Sequence, residues 1–210
     1  MRNTPTTRVA AVTTLLLAAA LTGCAGQSEA PSGTTTGGAA SESAPARVPA
    51  EAEPLLAEYG LDGMETVEII DHLDRLGGAD RPGDMMASVR PDELVVSADE
   101  DEFSLAIPDD RFYLSVAPYV DQTHDCFHHS LTTCTGELAS TQVQVQIVDE
   151  TNDETLVDET RTTFENGFTG FWLPRNIEGT LRVTYDGRTG ETEFATDQQA
   201  PTCLTTLQLA

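Results

Sequence analysis

The chain has 210 residues, with 11 Lys+Arg against 35 Asp+Glu and a formal net charge of −24. All eleven basic residues are arginine, which excludes mechanisms that need a lysine, among them Schiff bases, Walker-type phosphate loops and Ser-x-x-Lys acylases. So uniform a negative field repels phosphate backbones and argues against nucleic acid as a partner, and the length allows one ordinary domain with at most a small accessory one.

The first residues, "MRNTPTTRVAAVTTLLLAAALTGC", read as a secretory signal. Arg2 and Arg8 form the charged start, and Val9 to Leu21 is an apolar stretch too short for a comfortable membrane span. It ends in "LTGC", which resembles a bacterial lipobox, and the resemblance implies cleavage before Cys24 and lipidation of that cysteine. The expected organisation begins with a lipoprotein signal peptide over 1–23 and a disordered tether over 24–50. Between 25 and 50 there is no aromatic residue and one branched aliphatic, Val48, too little apolar surface to offset the entropy of ordering. A lipid on Cys24 makes the protein extracytoplasmic and anchored to the bacterial cell membrane.

Residues 51–92 are expected to be helical. "EPLLAEYG" predicts a short helix stopped by Gly60, and "LDGMETVEIIDHLDRLGG" a longer one. In the second, Asp62 and Glu65 form a capping-box-like pair, Met64, Val67, Ile70 and Leu73 recur at i+3, and Leu76 closes the stripe. "RPGDMMASVRP" is expected to hold one more turn. So small an amphipathic region must dock, either on the rest of the chain or on a second copy as a homodimer.

From about 93 the period changes to two. "ELVVSA", "EFSLAIP", "RFYLSVAPYV" and "GFTGFWLP" predict strands, and "TQVQVQIVDE" alternates Val143, Val145 and Ile147 with Gln142, Gln144 and Gln146. "LVDETRTTF" returns after a polar turn. "TLRVTYDGRTGETEFAT" predicts a hairpin at Asp186–Gly187, and "CLTTLQL" a last strand. The predicted fold class is α+β: a small N-terminal helical region followed by an antiparallel β-sandwich-like domain over 93–210, which carries the candidate site.

That site lies in "HDCFHHSLTTC", residues 124–134, which gathers His124, His128, His129, Cys126 and Cys134. Two readings stand on spacing alone. One is a disulfide between Cys126 and Cys134, closing a small loop at about 2.5 kcal/mol. The other is a metal loop, whose soft thiolates and borderline imidazoles suit Cu(I), with zinc second. Cys203, just after Pro201, either is a buried small hydrophobe or joins the loop, giving three thiols in one place or a disulfide with a thiol to attack it. With Cys24 lipidated these three cysteines cannot all pair. Elsewhere the residues read as structural. His72 is expected on a surface or dimer face, and Phe168, Phe171 and Trp172 in the core. "DETNDETLVDET" fails as a calcium loop, because its sixth position is Glu154 and its twelfth Thr160.

"THDCFHHSLTTCTGEL", "ENGFTGFWLPRNIEGT" and "APTCLTTLQL" closely resemble the CueP family of extracytoplasmic copper-binding proteins, and the resemblance covers most of residues 55–210. It implies copper resistance by sequestration of periplasmic copper, with handover to a copper-dependent superoxide dismutase. It also implies an N-terminal dimerisation region and a β-rich C-terminal one. The family's cysteines carry over onto Cys126, Cys134 and Cys203. His129 and His124 are candidates for the same loop, with His128 ranked below them. The lipobox and tether depart from the family pattern and suit a surface-bound copper buffer. Two rival functions remain: a thiol redox enzyme that reduces Cu(II) or exchanges disulfides, and a surface domain with one structural disulfide and no metal.

Overall fold

The computed structural model describes residues 48–210. The signal peptide, Cys24 and nearly all of the tether lie outside the described residues.

Two helices come first, α1 (Glu53–Glu58) and α2 (Thr66–Arg75). Pro54 sits in the first turn of α1, where no hydrogen bond is lost. The cap of α2 is not the expected Asp62. Gly63 has a positive φ of 73°, which interrupts the helical path, so Glu65 caps and forms a reciprocal capping box with Glu68. The buried face of α2 carries Ile69, Ile70 and Leu73, together with two polar residues, Thr66 and Asp74.

Among the described residues, eleven strands follow in chain order. They are β1 (Met85–Val89), β2 (Glu93–Ala98), β3 (Asp101–Ala106), β4 (Arg111–Val116), β5 (His129–Ser130) and β6 (Gln142–Asp149). Then come β7 (Glu154–Thr162), β8 (Thr169–Pro174), β9 (Glu178–Tyr185), β10 (Arg188–Ala195) and β11 (Cys203–Leu204). The extra helical turn expected in "RPGDMMASVRP" is instead strand β1. Met85, Ala87 and Val89 are buried and alternate with exposed Met86 and half-buried Ser88, a period of two that only a strand satisfies. The last strand is also shorter than expected. After Leu204 the chain leaves the sheet and touches it again at a Tyr119–Gln208 bridge.

The strands form three sheets, ordered β3-β2-β1-β5, β10-β9-β6-β7 and β11-β4-β8. All pairings among them are antiparallel except β11 with β4, which confirms the α+β class. The β9–β10 hairpin turns at Asp186 and Gly187, both with positive φ, as a two-residue hairpin turn demands.

Strand β4 explains how the layers stack. Its run "RFYLSV" is buried on both faces from Phe112 onward. Phe112, Leu114 and Val116 enter a core shared with Val143, Val145, Ile147, Leu181 and Val183 of the β10-β9-β6-β7 sheet. Tyr113 points the other way, into a second core with Ile69, Ile70 and Leu73 of α2 and Leu94 and Val96 of β2. The helical segment therefore docks on this chain's own sheets. The three-stranded sheet is a wall between two cores, and the candidate site lies on its helix-facing side.

Candidate metal centre

Backbone hydrogen bonds bring the distant cysteines together. Strand β11 runs parallel to β4, with Cys203 opposite Ser115. The amides of Thr202 and Cys203 both donate to the carbonyl of Phe127, at 3.0 and 3.2 Å, which draws Cys126 against Cys203. On β5, His129 pairs with Val89 of β1. Its amide donates to Thr202 Oγ1 at 3.0 Å, and that hydroxyl donates to the Val89 carbonyl at 2.6 Å. The loop then turns through Cys134 N–H to Ser130 O at 3.1 Å. Arg81 holds the turn by donating from Nη1 to the Cys134 carbonyl at 2.6 Å. Beyond it, Gly136 N–H donates to Asn166 O at 2.7 Å. A side chain at Gly167, whose φ is +84°, would run into the Gly136 backbone.

Cys126 and Cys203 form a disulfide across 77 residues of sequence, with Cα atoms 5.7 Å apart, inside the range a disulfide needs. The Cys126–Cys134 loop disulfide, one of the two readings of the spacing, is thus replaced. The Phe127 carbonyl clamp commits Cys126 to β11, and Cys134 remains a free thiol. Its sulfur lies 3.5 Å from Cys126 Sγ. His129 Nδ1 is 3.7 Å from Cys203 Sγ. One donor atom from each of Cys126, His129, Cys134 and Cys203 lies within 4.8 Å of every other.

The imidazole of His129 is wholly buried, under the Phe168 ring at 4.5 Å between centroids. Its Nε2 lies 2.7 Å from Oδ1 of Asp74, a carboxylate from α2 that is also fully buried. Asp74 Oδ2 accepts from Tyr113 at 2.6 Å and Ser115 at 3.2 Å, and Oδ1 accepts from Asn166 Nδ2 at 3.0 Å. Burial works against charge on His129, but the Asp74 carboxylate beside it prevails, and the imidazole is pushed up to about 9. Asp74 is correspondingly lowered, its desolvation overcome by His129 and by the Tyr113 and Asn166 hydrogen bonds. Burial also opposes thiolate formation at Cys134, yet the His129 imidazolium, the Ser130 amide and His124 bring it down to about 7.

The other histidines stand differently. His124 is exposed and lines a surface cleft with Thr133, Cys134 and Thr135. His128 is exposed, with its ring against Phe127 at 5.0 Å, and it is not part of the close group of donors. Partial burial and Arg90 lower its pKa. His72 is exposed on α2. Phe168 and Phe171 are core residues, as expected. Sequence reasoning missed Asp74, Tyr113, Ser115, Asn166 and Arg81. The one available signal was Asp74 itself, a carboxylate in the same stripe as Ile70 and Leu73, where an amphipathic helix keeps apolar residues.

Three sulfurs and one imidazole form a donor set for soft or borderline cations: Cu(I) first, Zn(II) as a tetrahedral Cys₃His site second. All three sulfurs become available as ligands once the disulfide is reduced. On this α+β scaffold, fold and donor set together define a candidate thiol–imidazole metal site.

Comparison with known proteins narrows that class. Residues 68–208 match the family model described as "Periplasmic copper-binding protein CueP", and the chain belongs to the CueP family. A solved structure titled "Crystal Structure of S.CueP" is 38% identical, with a TM-score of 0.72 over 78% of this chain and 100% of that one. No curated protein matches the chain.

Proposed function

We propose that this protein captures copper as Cu(I) outside the cytoplasm, with Cys126, Cys134, Cys203 and His129 Nδ1 as ligands. The observation that carries the reading is the mutual approach, within 4.8 Å, of four soft and borderline donors that the sequence spreads over 78 positions, 126 to 203. Family membership supports copper over zinc. His124, at the cleft beside Cys134, is an entry ligand in this reading, and His128 is peripheral. The lipobox-like "LTGC" supports a protein tethered to the membrane through a lipid on Cys24. Such a protein buffers copper at the surface for resistance and releases it to a cuproenzyme such as a copper-dependent superoxide dismutase. A homodimer through the N-terminal segment, 51–92, is compatible with that role.

A second reading is favoured by the free Cys134 thiol lying 3.5 Å from a disulfide sulfur. In it the centre is a thiol redox device. Two thiolates become a disulfide and give their two electrons to two Cu(II), leaving two Cu(I). Multiple turnover with an added reductant marks the enzyme, whereas a buffer stops after one stoichiometric reduction.

The test is anaerobic Cu(I) titration of the reduced protein against a competing chromophoric chelator, with Cys134→Ser and Cys203→Ser in parallel. Tight one-to-one binding, weakened at least tenfold in each variant, is the expected outcome. Affinity no better than scattered carboxylates provide would overturn the metal reading and leave a domain with a structural disulfide.

A further inference from the structure

We propose that Asp74 is the positioning residue of the metal centre: by accepting the Nε2–H of His129 it fixes Nδ1 as the nitrogen donor to the cation. This inference rests on the copper reading above, and it adds a residue from outside the loop and from a different layer of the fold.

The first argument is a count of lone pairs. A carboxylate only accepts hydrogen bonds, and its two oxygens offer about four sites. Four donors fill them: His129 Nε2 and Asn166 Nδ2 on Oδ1, Tyr113 Oη and Ser115 Oγ on Oδ2. Asp74 has no lone pair left for a cation, so it is not a ligand. Equally, its bond to Nε2 requires a proton on that nitrogen, and only Nδ1 remains to bind metal. Nδ1 is the ring atom that faces Cys203 Sγ, at 3.7 Å.

The second argument concerns the ring's freedom. Phe168 covers the imidazole face at 4.5 Å, and Thr202 holds the His129 backbone. Neither contact distinguishes the ring from its image turned 180° about χ2. That turn exchanges Nδ1 for Cδ2 and presents a carbon to the sulfurs. The short polar contact with Asp74, at 2.7 Å, selects the productive orientation more strongly than the 3.7 Å approach of Cys203 Sγ to Nδ1. Outer partners of metal-bound histidines commonly act in this way.

The third argument is the support given to Asp74. Asn166 grips it twice, through Oδ1 and through the Asp74 main-chain carbonyl at 2.5 Å. Tyr113 lies over Gly170, where any side chain would overlap the phenol. A residue needed only to dock α2 on the sheet requires neither a charge nor four converging donors, since apolar contacts already do that along Ile69, Ile70 and Leu73.

The experiment is ¹⁵N NMR of the His129 ring in the full chain, reduced and loaded with one equivalent of Cu(I), a diamagnetic ion, together with the chelator titration. Wild type, Asp74→Asn and Tyr113→Phe are compared. The wild-type ring is expected to show a metal-shifted Nδ1 and a protonated Nε2. Asp74→Asn keeps the shape and is expected to lose the single Nδ1-bound species, with Cu(I) affinity falling about tenfold or more. Tyr113→Phe removes one support from Asp74, and should lower stability while keeping the Nδ1-bound species. If Asp74→Asn does not fold, Asp74→Glu retains the charge but displaces the acceptor by one methylene, and the same loss is expected. An unchanged Nδ1-bound species and affinity within twofold in the Asp74 variant would overturn the inference alone. A wild-type protein that takes up no Cu(I) would overturn the copper reading and this inference with it.

Discussion

The reactivity of Cys134 is the sharpest handle on the electrostatics of the centre. Its thiol is lowered from the ordinary 9.0 to about 7 despite its burial, and the neighbouring His129 is the main lowering influence. The perturbation is His129→Gln in a Cys24→Ser background, with the Cys126–Cys203 disulfide intact, so that Cys134 is the one reactive thiol. The sign follows from the shift: a lowered pKa means more thiolate at neutral pH, and removing the imidazolium moves the midpoint up toward or beyond 9. At pH 7 the wild type is about half thiolate and the variant about 1%, a ratio of roughly fifty. A less basic thiolate is also a weaker nucleophile. With a Brønsted coefficient of 0.4–0.5 over two pH units, it loses roughly eightfold per thiolate. The net expectation is alkylation by iodoacetamide about sixfold faster in wild type at pH 7. The two profiles should cross near pH 8, above which the variant leads. Rates are read by intact mass between pH 5.5 and 10. A wild-type midpoint above about 8.5, or superimposable profiles, would refute the assignment of His129 as the group that activates Cys134.

Two further expectations concern the scaffold. Ile70→Ala empties a fully buried position between α2 and the sheets, and should cost about 2–5 kcal/mol in denaturant unfolding followed by Trp172 fluorescence. A loss under about 1 kcal/mol would mean that α2 is not docked as described. Gly170→Ala places a methyl group inside the Tyr113 phenol and should cost about 1–3 kcal/mol; a neutral effect in the same assay would show that the ring is free to leave Asp74.

Much of the fold was legible because it is written in local periodicity. Val143, Val145 and Ile147 alternate with glutamines and are all buried on β6, and the Asp186–Gly187 turn lies where the dipeptide put it. Where two periods compete the reading failed. In "DMMASV" a short apolar run with a flanking Pro and Gly read as a helical turn, and pairing with β2 made it a strand. The candidate site was legible as a set of residue types but not as a set of bonds. Cys126 finds Cys203 and not Cys134 because the Phe127 carbonyl takes the amides of Thr202 and Cys203 at the start of β11, a contact between residues more than seventy positions apart that no spacing rule encodes. Asp74 was illegible for the same reason. Its partners Tyr113, Ser115, His129 and Asn166 come from three other segments, β4, β5 and the loop before β8, and only the completed fold makes a buried carboxylate tolerable.

The centre sits on the helix-facing side of the β4 wall, and its cross-link couples its chemical state to the stability of the domain. Closing a loop of 77 residues with a disulfide restricts the unfolded chain by about 4.5 kcal/mol in the chain-entropy treatment, against about 2.5 for the eight-residue alternative. Reduction removes that constraint and at the same time creates the full three-thiol ligand set. A cation bound by all three thiols would tie β11 and the 126–134 loop together again. Free Cu(I) at about a thousand times Kd contributes about 4 kcal/mol by mass action, close to what the cross-link supplied. The oxidised metal-free and the reduced copper-loaded forms should therefore unfold at similar denaturant concentrations, with the reduced metal-free form well below both. Equal midpoints for the two reduced forms would mean that copper is held by exposed groups and not at this seam. Equal midpoints for the two metal-free forms would mean that the cross-link between Cys126 and Cys203 does not constrain the chain.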